Sequence, residues 1–80
     1  MIKMNDLFKK MRPFWKYAAC NVYGDWKLFE CKPYYSKKEE VWLPLGGHIC
    51  EISCIFDIEP FEGDCEKSLI ERVKEDDYAL

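Results

Sequence analysis

The chain has 80 residues, 49% of them hydrophobic, with 12 Lys plus Arg against 15 Asp plus Glu for a formal net charge of −3. That length predicts one domain. The apolar fraction excludes simple disorder, and the acidic balance argues against general nucleic-acid binding, which needs a basic field.

Residues 1–73 are expected to form one compact domain and residues 74–80 a flexible acidic tail. Asn5 can N-cap a short helix, with Asp6 in its first turn. Leu7, Phe8 and Met11 make one apolar stripe, and Pro13 ends the helix near Arg12. The period then shifts toward two. Residues 17–23 read as a strand, Gly24-Asp25 as a turn, and residues 26–31 as the returning strand, closed by Lys32-Pro33. Residues 34–40 are polar and read as a loop. Residues 41–45 read as a short edge strand, because Pro44 cannot donate to a ladder. Gly46-Gly47 signals a tight turn.

Residues 48–56 read as a fourth strand, with His48, Cys50, Ile52, Cys54 and Phe56 toward the core. A loop follows, and Asp64 can cap a short helix over 65–73, where Cys65, Leu69, Ile70 and Val73 have helical spacing. The dipeptide Gly-Asp occurs at 24–25 and again at 63–64, but the residues after each follow different periods, so it punctuates rather than repeats. The fold class is α+β: a small antiparallel β-meander of about four strands, an N-terminal helix, and a short C-terminal helix or turn.

A chain this short buries only about 60–65% of the surface its unfolded form exposes. It compensates with 3 Trp, 5 Tyr and 5 Phe, each able to bury about 150–250 Å². A homo-oligomer that buries further aromatic surface is consistent with that load. The start MIKMNDLFKK lacks the apolar run of a signal peptide, and no stretch reaches the ~20 apolar residues of a membrane span. The expectation is a cytoplasmic protein that binds no membrane. Its 5 cysteines, an odd number, are then reduced thiols outside any closed disulfide framework.

Four residue groups could carry chemistry. His48, Cys50 and Cys54, with Cys20 or Cys31, offer zinc-type donors. Along one strand they would spread over roughly 20 Å at ~3.3 Å per residue, so a core lined by small thiols is the simpler reading and no metal is expected. His48 and Cys50 could pair as base and nucleophile, but no third group is placed to orient the imidazole. Asp57, Glu59, Glu62 and Asp64 could serve in acid–base work, yet beside Pro60 and Gly63 they read as turn residues. No catalytic residue and no cofactor is expected.

The fourth group is aromatic and basic: Trp15, Tyr17, Tyr23, Trp26, Tyr34, Tyr35 and Trp42, interleaved with Lys27, Lys32, Lys37 and Lys38. Rings with lysines can stack a base and hold its phosphate. A domain this small cannot bury every ring, and exposed clustered aromatics mark a binding surface. The expected binding residues are Tyr23, Trp26, Lys27, Lys32, Tyr34, Tyr35, Lys37, Lys38 and Trp42. Charge is also split along the chain. Lys3, Lys9, Lys10, Arg12 and Lys16 make the start basic, while Glu59, Glu62, Asp64, Glu66, Glu71, Glu75, Asp76 and Asp77 make the last third acidic. That third is either a solvated face or an imitation of nucleic-acid phosphates.

The order GDW-K-L-F-E-x-K-P, then V-W, then IEPF-x-GD-x-x-x-SLIER resembles a widespread group of small uncharacterised proteins encoded by phages and prophages. Gly24, Trp26, Lys32, Pro33, Trp42, Gly63, Asp64, Ser68, Leu69, Glu71 and Arg72 match that order, from about Trp15 to Arg72. Two positions depart from it: Cys65 stands where the group more often has Trp, and the hairpin turn reads NVYGDW instead of an acidic D-x-DG. The resemblance implies a phage-type origin in a bacterial host and carries over no catalytic residue. It suggests a non-enzymatic accessory protein that binds a host protein or a nucleotide ligand stoichiometrically, for counter-defence. The alternative is a structural, oligomeric component.

Overall fold

The computed structural model of the protein describes residues 1–72. The expected end of the last helix at Val73, and the tail 74–80, lie outside the described residues.

Two strands largely buried on both sides stand at the centre: β1 (Tyr17–Cys20) and β2 (Trp26–Phe29). Such strands bury both faces and so lack a clean alternation. They pair antiparallel, with Tyr17 opposite Phe29, Ala18 opposite Leu28 and Cys20 opposite Trp26. A second hairpin joins β3 (Tyr34–Ser36) to β4 (Val41–Leu43), with Tyr35 opposite Trp42. Then come β5 (Ile49–Glu51), a 3-10 turn at Ile52–Cys54, a second 3-10 turn at Cys65–Lys67, and β6 (Ile70–Glu71). β5 and β6 flank the central pair, giving an antiparallel sheet in the order β5-β2-β1-β6.

Side-chain alternation sends this sheet into two cores. Ala18, Cys20, Trp26 and Leu28 pack with Met4, Leu7 and Phe8 of helix α1 (Met4–Lys9), and with Ile52 and Ile58. Ala19 and Phe29, on the opposite face, pack with Trp42 of the β3–β4 hairpin, with Tyr17, Tyr35 and Leu69 around them. The molecule is therefore helix, sheet and hairpin in three layers. The two alanines let both outer layers approach the sheet closely, because neither presents more than a methyl group.

The α+β class holds, but the simple four-strand meander does not. Six strands occur among the described residues, and the last returns to lie beside the first. Helix α1 begins at Met4 rather than after Asn5. Lys3 holds the cap position without a side-chain bond, and the helix ends at Lys9. The preceding chain is held extended by a parallel bridge, in which Ile2 N–H donates to the Asp57 carbonyl at 2.9 Å and Glu59 N–H to the Ile2 carbonyl at 2.8 Å. The first strand stops at Cys20, since the turn starts at Asn21, whose carbonyl accepts from Gly24 N–H at 2.9 Å. Gly24 takes φ +88°, the left-handed conformation glycine adopts cheaply.

The polar segment expected as a loop carries β3. Its turn closes through Glu40 N–H to the Ser36 carbonyl at 2.7 Å. The long fourth strand shrinks to β5. After Glu51 the chain curls, burying Ile52 and bringing Ser53 Oγ to accept from Trp26 N–H at 2.8 Å, while His48 and Cys54 stay exposed. Asp64 caps as expected, its carboxylate accepting from Glu66 N–H at 3.0 Å. The helix is only one 3-10 turn. Ser68 Oγ lies 2.6 Å from the Cys65 carbonyl and competes with helix propagation, and β6 then satisfies the open edge of β1.

Candidate partner-binding groove

Two indole N–H groups fix the outer elements. Trp26 Nε1 donates to the Glu59 carbonyl at 2.7 Å, and Trp42 Nε1 to the Cys65 carbonyl at 3.0 Å. The backbone N–H of Trp42 also donates to Asn21 Oδ1 at 3.1 Å. The second and third of these bonds bring the β1–β2 turn, the β3–β4 hairpin and the 3-10 turn at Cys65 together. Between them opens a groove of about 410 Å³, walled by Val22, Tyr35, Lys37, Glu40 and the stretch from Gly63 to Glu66.

Tyr35 gives the lining its aromatic ring, packed edge-on against Trp42 with ring centroids 5.4 Å apart. Its hydroxyl is pushed above the ordinary value of 10.0, first by desolvation and then by the negative potential of Cys65, Glu40, Asp64 and Glu66. The lining holds one lysine, Lys37, and three carboxylates, Glu40, Asp64 and Glu66. Tyr23, next to Val22 at the tip of the β1–β2 turn, is 77% exposed. The site joins apolar Val22 and Tyr35 to an exposed acidic rim of Glu40, Asp64 and Glu66.

Of the nine expected binding residues, Tyr35 and Lys37 line this groove, and Tyr23 stands beside it. Tyr34, Lys32 and Lys38 are exposed, and Lys27 is partly buried in an ion pair with Glu51 at 3.7 Å. Trp26 and Trp42 are core residues, 4% and 6% exposed, on opposite faces of the sheet. A stacking surface containing both tryptophans is thereby ruled out for this conformation. The groove residues absent from that set are Val22, Glu40, Gly63, Asp64, Cys65 and Glu66. For Asp64 and Glu66 the signal was the acidic last third, which the fold lays against the hairpin; Val22 and Glu40 carried none.

The other groups take structural parts. His48 N–H donates to Glu30 Oε1 at 3.0 Å, its ring Nδ1 lies 3.0 Å from the same oxygen, and the ring rests 5.6 Å from Phe14. Cys50 packs into the helix-side core instead of meeting His48. Among the described residues, no group of three His, Cys, Asp or Glu is placed to hold a metal ion. Within the carboxylate set, Asp57 and Glu59 take part in the Ile2 bridge through their backbone, and Asp64 caps a turn. No described helix is long and apolar enough to cross a membrane.

Four of the positions that carry the phage-type resemblance have structural parts as well. Gly63 takes φ +109°, Asp64 caps, and Ser68 is buried. Arg72 donates to the carbonyls of Phe8, Met11, Arg12 and Trp15 at 3.0–3.3 Å. No family profile, curated protein or solved structure matches the chain.

Proposed function

We propose that this protein acts by stoichiometric binding, as a small non-enzymatic accessory protein of phage type. Its partner is a host protein that presents a basic segment to the groove, and the purpose is counter-defence, by blocking a nuclease or other defence complex. One observation carries this reading: Val22 and Tyr35 line the same groove as the exposed carboxylates of Glu40, Asp64 and Glu66. Apolar contact supplies affinity there, and the acidic rim selects for Lys or Arg and speeds the encounter. The same rim disfavours the nucleotide-sequestering version, because a phosphate would meet three carboxylates and one lysine.

A structural role in an oligomer is the second reading. It is favoured by Leu45, Ile49 and Ile55, which are 70%, 45% and 65% exposed.

The test is an affinity pulldown of the tagged chain from bacterial lysate, with protein and small-molecule mass spectrometry of the eluate. A host protein held by wild type and lost with Glu66→Lys supports the proposal. A co-purifying nucleotide would overturn it in favour of sequestration. Recovery of the chain alone, as an oligomer of fixed size, would replace it with the structural reading.

A further inference from the structure

Cys65 and Cys20 sit 45 positions apart in the chain, yet their thiols share one acceptor. Cys20 Sγ lies 3.4 Å and Cys65 Sγ 3.2 Å from the carbonyl oxygen of Asn21. The sulfurs can be no farther apart than those two distances combined. The main chains that carry them are fixed by one hydroxyl. Ser68 Oγ accepts from Cys20 N–H at 2.9 Å, and lies 3.1 Å from the Cys20 carbonyl and 2.6 Å from the Cys65 carbonyl. Their exposure differs sharply. Cys20, at the end of β1, is fully buried in the helix-side core, whereas Cys65 is half-buried and forms part of the groove wall.

We propose that Cys65 and Cys20 form a peroxide-responsive dithiol in the wall of the groove, with Cys65 as the site of oxidation and Cys20 as its resolving partner. Hydrogen peroxide reaches Cys65 through the groove. The Cys65 sulfur attacks one peroxide oxygen, the O–O bond breaks, water leaves, and Cys65 becomes a sulfenic acid. The Cys20 sulfur then attacks the Cys65 sulfur. An S–S bond forms, the S–O bond breaks, and the departing hydroxide takes the Cys20 proton to leave as a second water. The dithiol loses two electrons and two protons, and one peroxide becomes two waters.

Reaction with peroxide requires access, so the two thiols have separate roles. Burial raises the Cys20 thiol above its ordinary value of 9.0, opposed by a backbone hydrogen bond at Phe61 and supported by the neighbouring Cys65 and Asp25. Cys20 therefore stays protonated and sheltered until a sulfenic acid forms beside it. This chemistry does not depend on which partner fills the groove.

The test uses the full chain with Cys31→Ser and Cys54→Ser, which removes the two exposed thiols. The folded protein is treated with hydrogen peroxide, alkylated, digested and mapped by mass spectrometry. The expected result is a Cys20–Cys65 linked peptide, loss of two hydrogens from the intact mass, and full reversal by dithiothreitol. Adding Cys20→Ala should leave the sulfenic acid unresolved, so that dimedone labelling of Cys65 rises severalfold. If that variant does not fold, the linked peptide of its parent decides alone. The proposal is overturned if the parent keeps native tryptophan fluorescence after peroxide yet yields no Cys20–Cys65 peptide. Dimedone labelling at Cys50 in place of Cys65 would overturn it too.

Discussion

The guanidinium of Arg72 lies 4.6 Å from the ring centroid of Phe8 and donates through Nη2 to the carbonyl of the same residue at 3.0 Å. Nη2 also reaches the carbonyls of Met11 and Arg12, and Nε donates to that of Trp15. A six-residue helix cannot hold itself together in water, since nucleation costs more than so short a ladder returns. Arg72 supplies what it lacks, a planar fork of donors that adds a second bond to the Phe8 and Arg12 carbonyls, which already accept from Met11 and Trp15 N–H, and ties in the carbonyls of Met11 and Trp15.

Arg72→Met keeps an apolar stem over Phe8 and removes every one of these donors. The expected loss is about 2–3 kcal/mol, the range for charge-assisted bonds whose acceptors are left partly unsatisfied. Urea unfolding at neutral pH measures it. Arg72→Lys should recover less than half of the loss, because one ammonium cannot span four carbonyls. Equal stability of Arg72→Lys and wild type would show that charge alone holds the helix end.

Ser68→Ala removes a hydroxyl that is 2% exposed and that ties β1 to the turn at Cys65. The Cys20 N–H loses its acceptor in a site water does not reach. The expected cost is about 1–3 kcal/mol, read from chemical denaturation. Faster hydrogen exchange at the Cys20 amide should accompany it. An unchanged exchange rate there would mean that the β1 edge is held by β6 alone.

How much of this was legible in the sequence follows from the reach of each interaction. The β1–β2 hairpin and the Asp64 cap could be read because their causes lie within a few residues, as in the bond from Glu66 N–H to Asp64. β3 could not, since Tyr34-Tyr35-Ser36 is short, and what makes it a strand is Trp42 across the turn. β6 has two residues, and only the open edge of β1 makes it a strand. The tryptophans posed the same difficulty for the site. Trp26 and Trp42 resemble exposed stacking residues until the carbonyls of Glu59 and Cys65, more than 20 positions away, are seen to accept their N–H groups. The groove joins hairpin and acidic segment through that same Trp42 bond, so no local pattern announces it.

The pair Glu30 and His48 gives a pH dependence of fixed sign. Hydrogen bonds from the His48 ring and from its backbone N–H hold the Glu30 carboxyl below its ordinary 4.5. A carboxyl with a lowered folded value stabilises the protein fully above its unfolded value and loses that contribution as the pH falls through the folded one. In Glu30→Gln, the fall in unfolding free energy below pH 4.5 should be shallower than in wild type. Urea titrations at stepped pH compare the slopes, and parallel slopes would show that the bond does not persist in solution.

Gly47 abuts the same pair. A Cβ there would stand 2.8 Å from Glu30 Oε1 and 2.9 Å from Cys31 Sγ, at φ +75°. At Gly46, φ is +126° but no atom lies within 4 Å of the added carbon. Both Gly→Ala variants bear backbone strain of about 1–3 kcal/mol. Gly47→Ala must also displace the Glu30 carboxylate from His48, so it should flatten the acid-side slope as Glu30→Gln does, while Gly46→Ala leaves that slope intact. Carboxyl NMR titration of Glu30 in the two variants reads the difference directly, since only Gly47→Ala should return the group toward its ordinary value.

Tyr23 and Trp42 separate surface from core. Tyr23 is 77% exposed, and Tyr23→Ser should change stability by no more than about 0.5 kcal/mol, as surface substitutions do. Trp42→Phe keeps a ring but removes the N–H that holds the Cys65 carbonyl, and should cost about 1–3 kcal/mol. Binding should reverse that order. If the groove and its rim take a protein partner, Tyr23→Ser weakens capture from lysate while the chain stays fully folded. Trp42→Phe then weakens capture only as far as it loosens the wall at Cys65, and lowering the temperature to restore folding restores capture. Tyr23→Ser that captures as wild type does would move the partner site away from the β1–β2 turn, toward the cleft of about 300 Å³ on the helix side between Lys3, Phe61 and Lys67.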